Sequence, residues 1–133
     1  MRGFVDDIEK LTTENIDFRR VLYTSKKMQL VLMSLKPGEE IGEEVHHTRD
    51  QFFRVEEGNG AVFIDGVRHE IEDDDAVIVP AGAKHNVVNI GQDPLKLYTL
   101  YGPPEHKDAT VHPTKADAER DHDNDHFDGK TSE

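Results

Sequence analysis

From Arg19 to Tyr101 the chain runs in short apolar segments broken by turn residues, the pattern of β-strands rather than of long helices. Strand-like runs occupy Arg19 to Tyr23 and Met28 to Leu35, with the polar Thr24-Ser25-Lys26-Lys27 as a hairpin connection and Pro37-Gly38 as the closing turn. Gln51 to Val55, Ala61 to Ile64, Val67 to Ile71, Ala76 to Val79, His85 to Ile90 and Leu95 to Tyr101 follow. Between them lie the turn signals Glu56 to Gly60, Asp65-Gly66, Pro80 to Ala83 and Gly91 to Pro94, the Asp-Gly pair being suited to a tight two-residue hairpin. Turn signals at this density predict an all-β sandwich or barrel, and periodicity alone does not choose between them.

Two segments depart from the β pattern. Val5, Ile8 and Leu11 recur at helical spacing and predict one or two amphipathic turns near the N-terminus. Thr114-Lys115-Ala116-Asp117 has the form of a capped helix start, predicting a short helix from Lys115 to about Asp121. From Glu105 onward apolar residues are sparse, and His106, His112, His122 and His126 stand among aspartates and glutamates. A segment of that composition lacks the apolar surface to order itself alone, so it is expected to be mobile or laid over a neighbouring subunit.

At 133 residues the chain is long enough for one core. The organisation predicted is a single domain over residues 1–104, with the barrel core at about 19–104, and an acidic, histidine-rich tail over 105–133. A formal net charge of −12 argues against nucleic acid and anionic membrane as partners. There is no cysteine, which removes disulfides, thiolate catalysis and thiolate metal sites. No run approaches the ~20 apolar residues that span a bilayer, and the N-terminus turns acidic before any apolar run, so a cytoplasmic location is expected.

Candidate chemistry sits in the middle of the chain. Glu44 and His46 are two apart, so on a strand both project from one face. His85 follows a Pro/Gly turn, and Gln51 opens the strand after the loop that follows His46. Two imidazoles and a carboxylate converging in a barrel mouth suit a divalent metal, although Glu-x-His by itself is a common surface pattern. His47 points to the opposite face and becomes a ligand in place of Glu44 only if the register slips by one. His69 and Arg54 read as exposed, whereas Phe53 and Val55 share the parity of Gln51 and read as interior packing. Tyr98 and Tyr101 face opposite ways, so one of them is placed to reach a pocket. In the tail, His122 with Asp123, Asp125 and His126 forms a secondary acidic cluster whose simpler reading is solvation.

The spacing Gly38-x5-Glu44-x-His46-x4-Gln51-x6-Gly58, followed by Pro80-x-Gly82-x2-His85-x3-Asn89, resembles the two motifs of the small single-domain cupins. Two departures stand out: Glu44 takes the place of the first motif's leading histidine, and Gln51 the place of its glutamate. A third is Asp74, where the second motif ordinarily opens on glycine. The resemblance implies a double-stranded β-helix, a jelly-roll barrel that often pairs into homodimers. It also implies a metal held by the residues at Glu44, His46, Gln51 and His85. The lone carboxylate has moved rather than vanished, leaving two histidines, one carboxylate and an amide, close to the facial set used by iron(II) and related ions. Iron, manganese, zinc and nickel all suit it. The function expected is a small metal-dependent enzyme for a small polar or sugar-like molecule, of the mannose-6-phosphate isomerase type. In it Glu44 serves as ligand or, if Gln51 and water complete the coordination, as general base. The absence of a lysine or arginine cluster near the motifs counts against a sugar phosphate. The alternatives are a non-catalytic cupin that captures or senses a ligand or metal, and an iron-dependent dioxygenase.

Overall fold

The computed structural model describes residues 1–133. Helix α1 (Ile8–Glu14) precedes nine strands: β1 (Arg19–Thr24), β2 (Gln29–Leu35), β3 (Glu44–Val45), β4 (Asp50–Glu57), β5 (Asn59–Ile64), β6 (Val67–Glu72), β7 (Ala76–Val79), β8 (Lys84–Asn89) and β9 (Leu95–Gly102). A two-residue strand β10 (Val111–His112) and helix α2 (Lys115–Arg120) complete the chain. Every pairing is antiparallel, in a six-stranded sheet of order β10-β1-β2-β9-β4-β7 and a four-stranded sheet of order β3-β8-β5-β6. No helix is long and apolar enough to cross a membrane.

Alternation along the strands fills the space between the sheets. Phe53 and Val55 of β4, Leu95 and Leu97 of β9, and Val31, Met33 and Leu35 of β2 meet Val62 of β5 and Val87 of β8 in one core, each almost wholly buried. The outward residues of β2 are also covered, because α1 packs across the outer face of β2, β4 and β9. This helix starts three residues later than the apolar spacing predicts. Asp7 caps it by accepting from the Lys10 N–H at 3.1 Å, which leaves Val5 outside and fully exposed. A carboxylate cap outweighs one apolar residue as the starting signal.

Three turns explain their residues. At the β5–β6 hairpin Asp65 and Gly66 both take positive φ, 47° and 83°, the requirement of a tight hairpin turn. Asp74 adopts φ 73°, so this position demands a left-handed backbone whether or not glycine supplies it. Gly58, between β4 and β5, is more tightly bound: its φ is 104°, and a Cβ there would stand 2.7 Å from the Pro94 carbonyl oxygen. Gly58→Ala is therefore expected to destabilise the fold by at least about 2 kcal/mol, from backbone strain and collision with main chain together. Chemical denaturation against wild type checks this, and Gly129→Ala, which shares a positive φ of 88° but has open space around it, separates collision from backbone strain.

The tail departs from expectation. It lies on its own barrel and is ordered by polar anchors. Strand β10 pairs with β1, and Thr114 and Asp117 form a capping box at α2. The Phe127 N–H donates to the Glu105 carbonyl and the Ser132 N–H to the Thr24 carbonyl, both at 2.9 Å. The terminal Glu133 side chain accepts from the N–H groups of Arg2 at 2.7 Å and Gly3 at 2.9 Å, and from the Tyr23 hydroxyl. Low apolar content was the basis for expecting disorder, and pairwise bonds to distant strands replace the missing burial.

Candidate metal centre

The antiparallel register sets Glu44 of β3 directly opposite His85 of β8, and Gln51 of β4 opposite Tyr101 of β9. His46 lies one residue past the end of β3, so strand parity does not govern it. It is fixed instead by its carbonyl, which accepts from the Gly82 N–H at 2.9 Å across the Pro80–Ala83 turn. These pairings bring together Glu44, His46 and His85, with one ligand atom from each within 4.8 Å of the others. The two imidazole rings are 5.3 Å apart, and Gln51 reaches His85 from the side.

The hydrogen bonds divide the site into two pairs. In the first, His46 Nε2 lies 2.9 Å from Glu44 Oε2. Burial would push the Glu44 carboxyl up, but the His46 hydrogen bond and the charges of His46, Arg19 and His85 hold it below the ordinary range. Burial would likewise lower His46, yet its bond to Glu44 and the charges of Glu44 and Glu105 raise it. In the second pair, His85 Nδ1 faces the Ala83 carbonyl at 3.1 Å, and a neutral ring that donates there presents the lone pair of Nε2 on its other side. The Gln51 NH2 is in turn committed to Thr99 Oγ1 at 3.0 Å, so its carbonyl oxygen is what faces His85 Nε2, 3.1 Å away. One neutral imidazole thus stands between two carbonyl oxygens with a single N–H to give, and with that proton on Nδ1 the lone pair of Nε2 and the Gln51 oxygen are free to share a cation.

The donor set fits a divalent ion. Two imidazole nitrogens, a carboxylate oxygen and an amide oxygen would together hold such an ion. His85 also has the backbone partner on its far nitrogen that metal-binding imidazoles require. Access is uneven. Gln51 and His85 are 3% and 4% exposed, whereas the Glu44 side chain keeps 31% of its surface, so Glu44 is the member that faces solvent. A groove of about 760 Å³ lies outside the barrel along β8, where Lys84, Asn86 and Glu43 line it; His85 borders it, but Glu44, His46 and Gln51 are not among its walls.

A second polar system sits beneath the first. Tyr101, not Tyr98, points inward; its ring meets His46 edge-on at 5.7 Å, and its hydroxyl donates to His106 Nε2 at 3.3 Å. His106 Nδ1–H donates to Asp125 at 2.7 Å, and Asp125 lies 3.8 Å from the buried Arg19 guanidinium. Arg19 donates to His112 Nδ1 at 3.3 Å, and His112 Nε2–H donates to Asp121 at 2.9 Å. His112, Asp121 and Asp125 are close enough to suggest a second metal site, but the Arg19 cation already serves these groups. Of this network the sequence singles out Tyr101 and, with other partners, Asp125; Arg19, His106, His112 and Asp121 carry no chemical signal there beyond the inward parity that Arg19 shares with Val21. Of the tail cluster, Asp125 turns inward while His122 and His126 remain on the surface with rings 5.9 Å apart. His47 and His69 are exposed, and Phe53 and Val55 are interior. Arg54, read as exposed, is half-buried and ion-paired to Asp74 at 3.0 Å and Glu56 at 3.5 Å.

Comparison with known proteins follows the same lines. The family profile described as Cupin domain matches residues 31–101. A solved Bacillus halodurans protein, BH2720, is 48% identical and superposes with a TM-score of 0.88 over 90% of this chain and 95% of that one. The uncharacterized protein YrkC of Bacillus subtilis is 47% identical over 123 residues, 88% of this chain and 66% of its own length, so the chain spans about two thirds of that relative. The mannose-1-phosphate guanylyltransferase of Escherichia coli is 32% identical over 71 residues, which are 53% of this chain and 15% of that enzyme.

Proposed function

The chain belongs to the cupin family, and from that premise we propose that it is a metal-dependent enzyme acting on a small polar or sugar-like molecule, with isomerisation the favoured reaction. Glu44, His46, Gln51 and His85 are the residues that would hold the ion. The observation that carries this reading is the confrontation of His85 Nε2 with the Gln51 carbonyl oxygen at 3.1 Å, both with their other polar atoms already committed.

A divalent ion bound there supplies a Lewis acid for a carbonyl or enediol oxygen. The protein's own part is positional and electrostatic. The Ala83 carbonyl and Thr99 hydroxyl fix the His85 ring and the Gln51 amide, so neither must reorganise when a ligand arrives. Where Gln51 and water complete the coordination instead of Glu44, this carboxylate, exposed on one side, is the group placed to take a proton from a substrate carbon or hydroxyl. The packed interior around Gln51 and Tyr101 excludes water from the far side. The short match to a mannose-1-phosphate guanylyltransferase agrees with a sugar-like ligand, and the shortage of cations by the motifs favours one without phosphate.

A second reading, capture of a ligand or metal without turnover, is favoured by the groove of about 760 Å³ that lies outside the barrel. An iron-dependent oxygenase shares the donor set of two histidines and one carboxylate. One experiment separates the three. Metal-stripped protein is reloaded in turn with Mn(II), Fe(II), Co(II), Ni(II) and Zn(II), then incubated in D2O with unphosphorylated and phosphorylated aldoses and ketoses. Deuterium incorporation beside the carbonyl, dependent on metal and lost in Glu44→Gln, is the expected result. A thermal shift without exchange would identify a binding module, and oxygen consumption by the iron-loaded form a dioxygenase.

A further inference from the structure

Glu105 lies outside the residues matched by the cupin profile, yet its side chain enters the site. Its Oε2 is 3.5 Å from His46 Nδ1, the ring nitrogen on the side opposite Glu44. The carboxylate is not free to wander. Arg49 Nε donates to the Pro104 carbonyl at 2.8 Å and is ion-paired with Glu105 Oε2 at 3.0 Å, clamping side chain and main chain together.

The backbone beneath is held from inside the barrel. Gln29, fully buried on β2, accepts through one oxygen from the N–H groups of Glu105 at 3.2 Å and His106 at 3.0 Å. Its amide donates to the His106 carbonyl at 2.8 Å and to Thr24 Oγ1 at 3.0 Å. All four hydrogen-bonding positions of this buried amide are thus filled, three of them by one loop, which is a costly arrangement for a connection with no task. What the loop presents at that point is Glu105.

We propose that Glu105 is the positioning carboxylate of the metal site: it takes the Nδ1–H of His46, so that Nε2, which faces Glu44 at 2.9 Å, is the nitrogen left for the ion. This rests on the metal reading above and adds to it that the C-terminal segment, beyond the cupin motifs, completes the site. Metal-binding imidazoles gain orientation and basicity from such a partner, and its loss ordinarily weakens metal binding by about 10- to 100-fold. His85 obtains the same service from the Ala83 carbonyl, so each histidine has its own support.

The test uses full-length, metal-free protein titrated with Co(II). Glu105→Gln is expected to bind Co(II) about 10- to 100-fold more weakly than wild type, with the visible bands of the saturated protein unchanged because the ligands are the same. In zinc-loaded, ¹⁵N-labelled wild type, His46 is expected to carry its proton on Nδ1 and its metal on Nε2; this measurement needs no variant. Equal Co(II) affinity in Glu105→Gln, or His46 coordinated through Nδ1, overturns the assignment. So does a variant whose metal-free form melts early while its affinity is unchanged, since that marks a purely structural strap. Failure of wild type to bind Co(II) at all would refute the metal reading itself. Normal wild-type binding with an indifferent Glu105→Gln removes only the role of Glu105.

Discussion

Replacing His46 and His85 together by alanine is expected to abolish bound metal, leaving Glu44 and Gln51 without the imidazoles that define the site. Untagged wild type and variant, purified side by side and analysed for Mn, Fe, Co, Ni and Zn, give the direct comparison. Equal content in the two proteins sinks the metalloenzyme reading. The effect on stability follows from linkage. Metal that binds only the folded chain adds about 2.7 kcal/mol when its free concentration is 100 times the dissociation constant. For a chain of this size that is roughly a 10 °C rise in melting temperature. Wild type is expected to show this rise as Co(II) is added, and the double variant a flat response.

The sign of the pH dependence is also fixed. Protons compete with metal for the same atoms. His46 is raised above its ordinary value in the metal-free fold, so acidification through that raised value protonates it and weakens metal binding. In the metal-free protein the same group acts in the opposite direction. A histidine raised by its folded partners adds stability below its unfolded value, and that stability is lost as pH rises through the folded value. The Co(II)-dependent rise in melting temperature should therefore grow from acid toward neutral pH.

Strand content was legible because alternation is a local signal. Gln51, Phe53 and Val55 read correctly as one face of β4, and Asp65-Gly66 as the hairpin that joins β5 to β6. The meeting of Glu44, His46 and His85 was legible only through motif spacing, since Glu44 and His85 pair across strands 41 positions apart and His46 lies beyond strand parity. Glu105, Arg19 and the ordering of the tail were not legible. Each depends on a partner far away in the chain, as Gln29 does with His106 at a separation of 77 and Arg19 with His112 at 93. Such polar contacts leave no periodicity behind. Composition counted the sparse apolar residues of the tail correctly and could not register the buried amide and guanidinium waiting for it.

The largest loss of stability from a single polar substitution is expected at Asp125. This carboxylate is 5% exposed, accepts from His106 Nδ1 at 2.7 Å and faces the Arg19 guanidinium at 3.8 Å. Asp125→Ala leaves the His106 N–H without an acceptor and Arg19, whose Nε already lacks a partner, without its nearest buried counter-charge. Breaking a buried pair in this way costs about 3–5 kcal/mol, or roughly 10–20 °C in melting temperature here. The exposed neighbour Asp123→Ala should change stability by less than about 0.5 kcal/mol. The pH profile separates charge from packing. Burial would push the Asp125 carboxyl up, but the His106 bond and the charges of His106, Arg19 and His112 hold it below its ordinary value. Its stabilisation is therefore complete above the unfolded carboxylate value and lost as pH falls through the lower folded one. His106, lowered chiefly by burial, also loses ground in acid, beginning as pH drops below the unfolded histidine value, because only the unfolded chain takes up that proton freely. Melting temperatures of wild type and Asp125→Ala, measured from neutral to strongly acid pH, should converge as Asp125 is protonated. A gap that stays constant across that range would mean the variant lost packing alone, and the charged network beneath the site contributes nothing as charge.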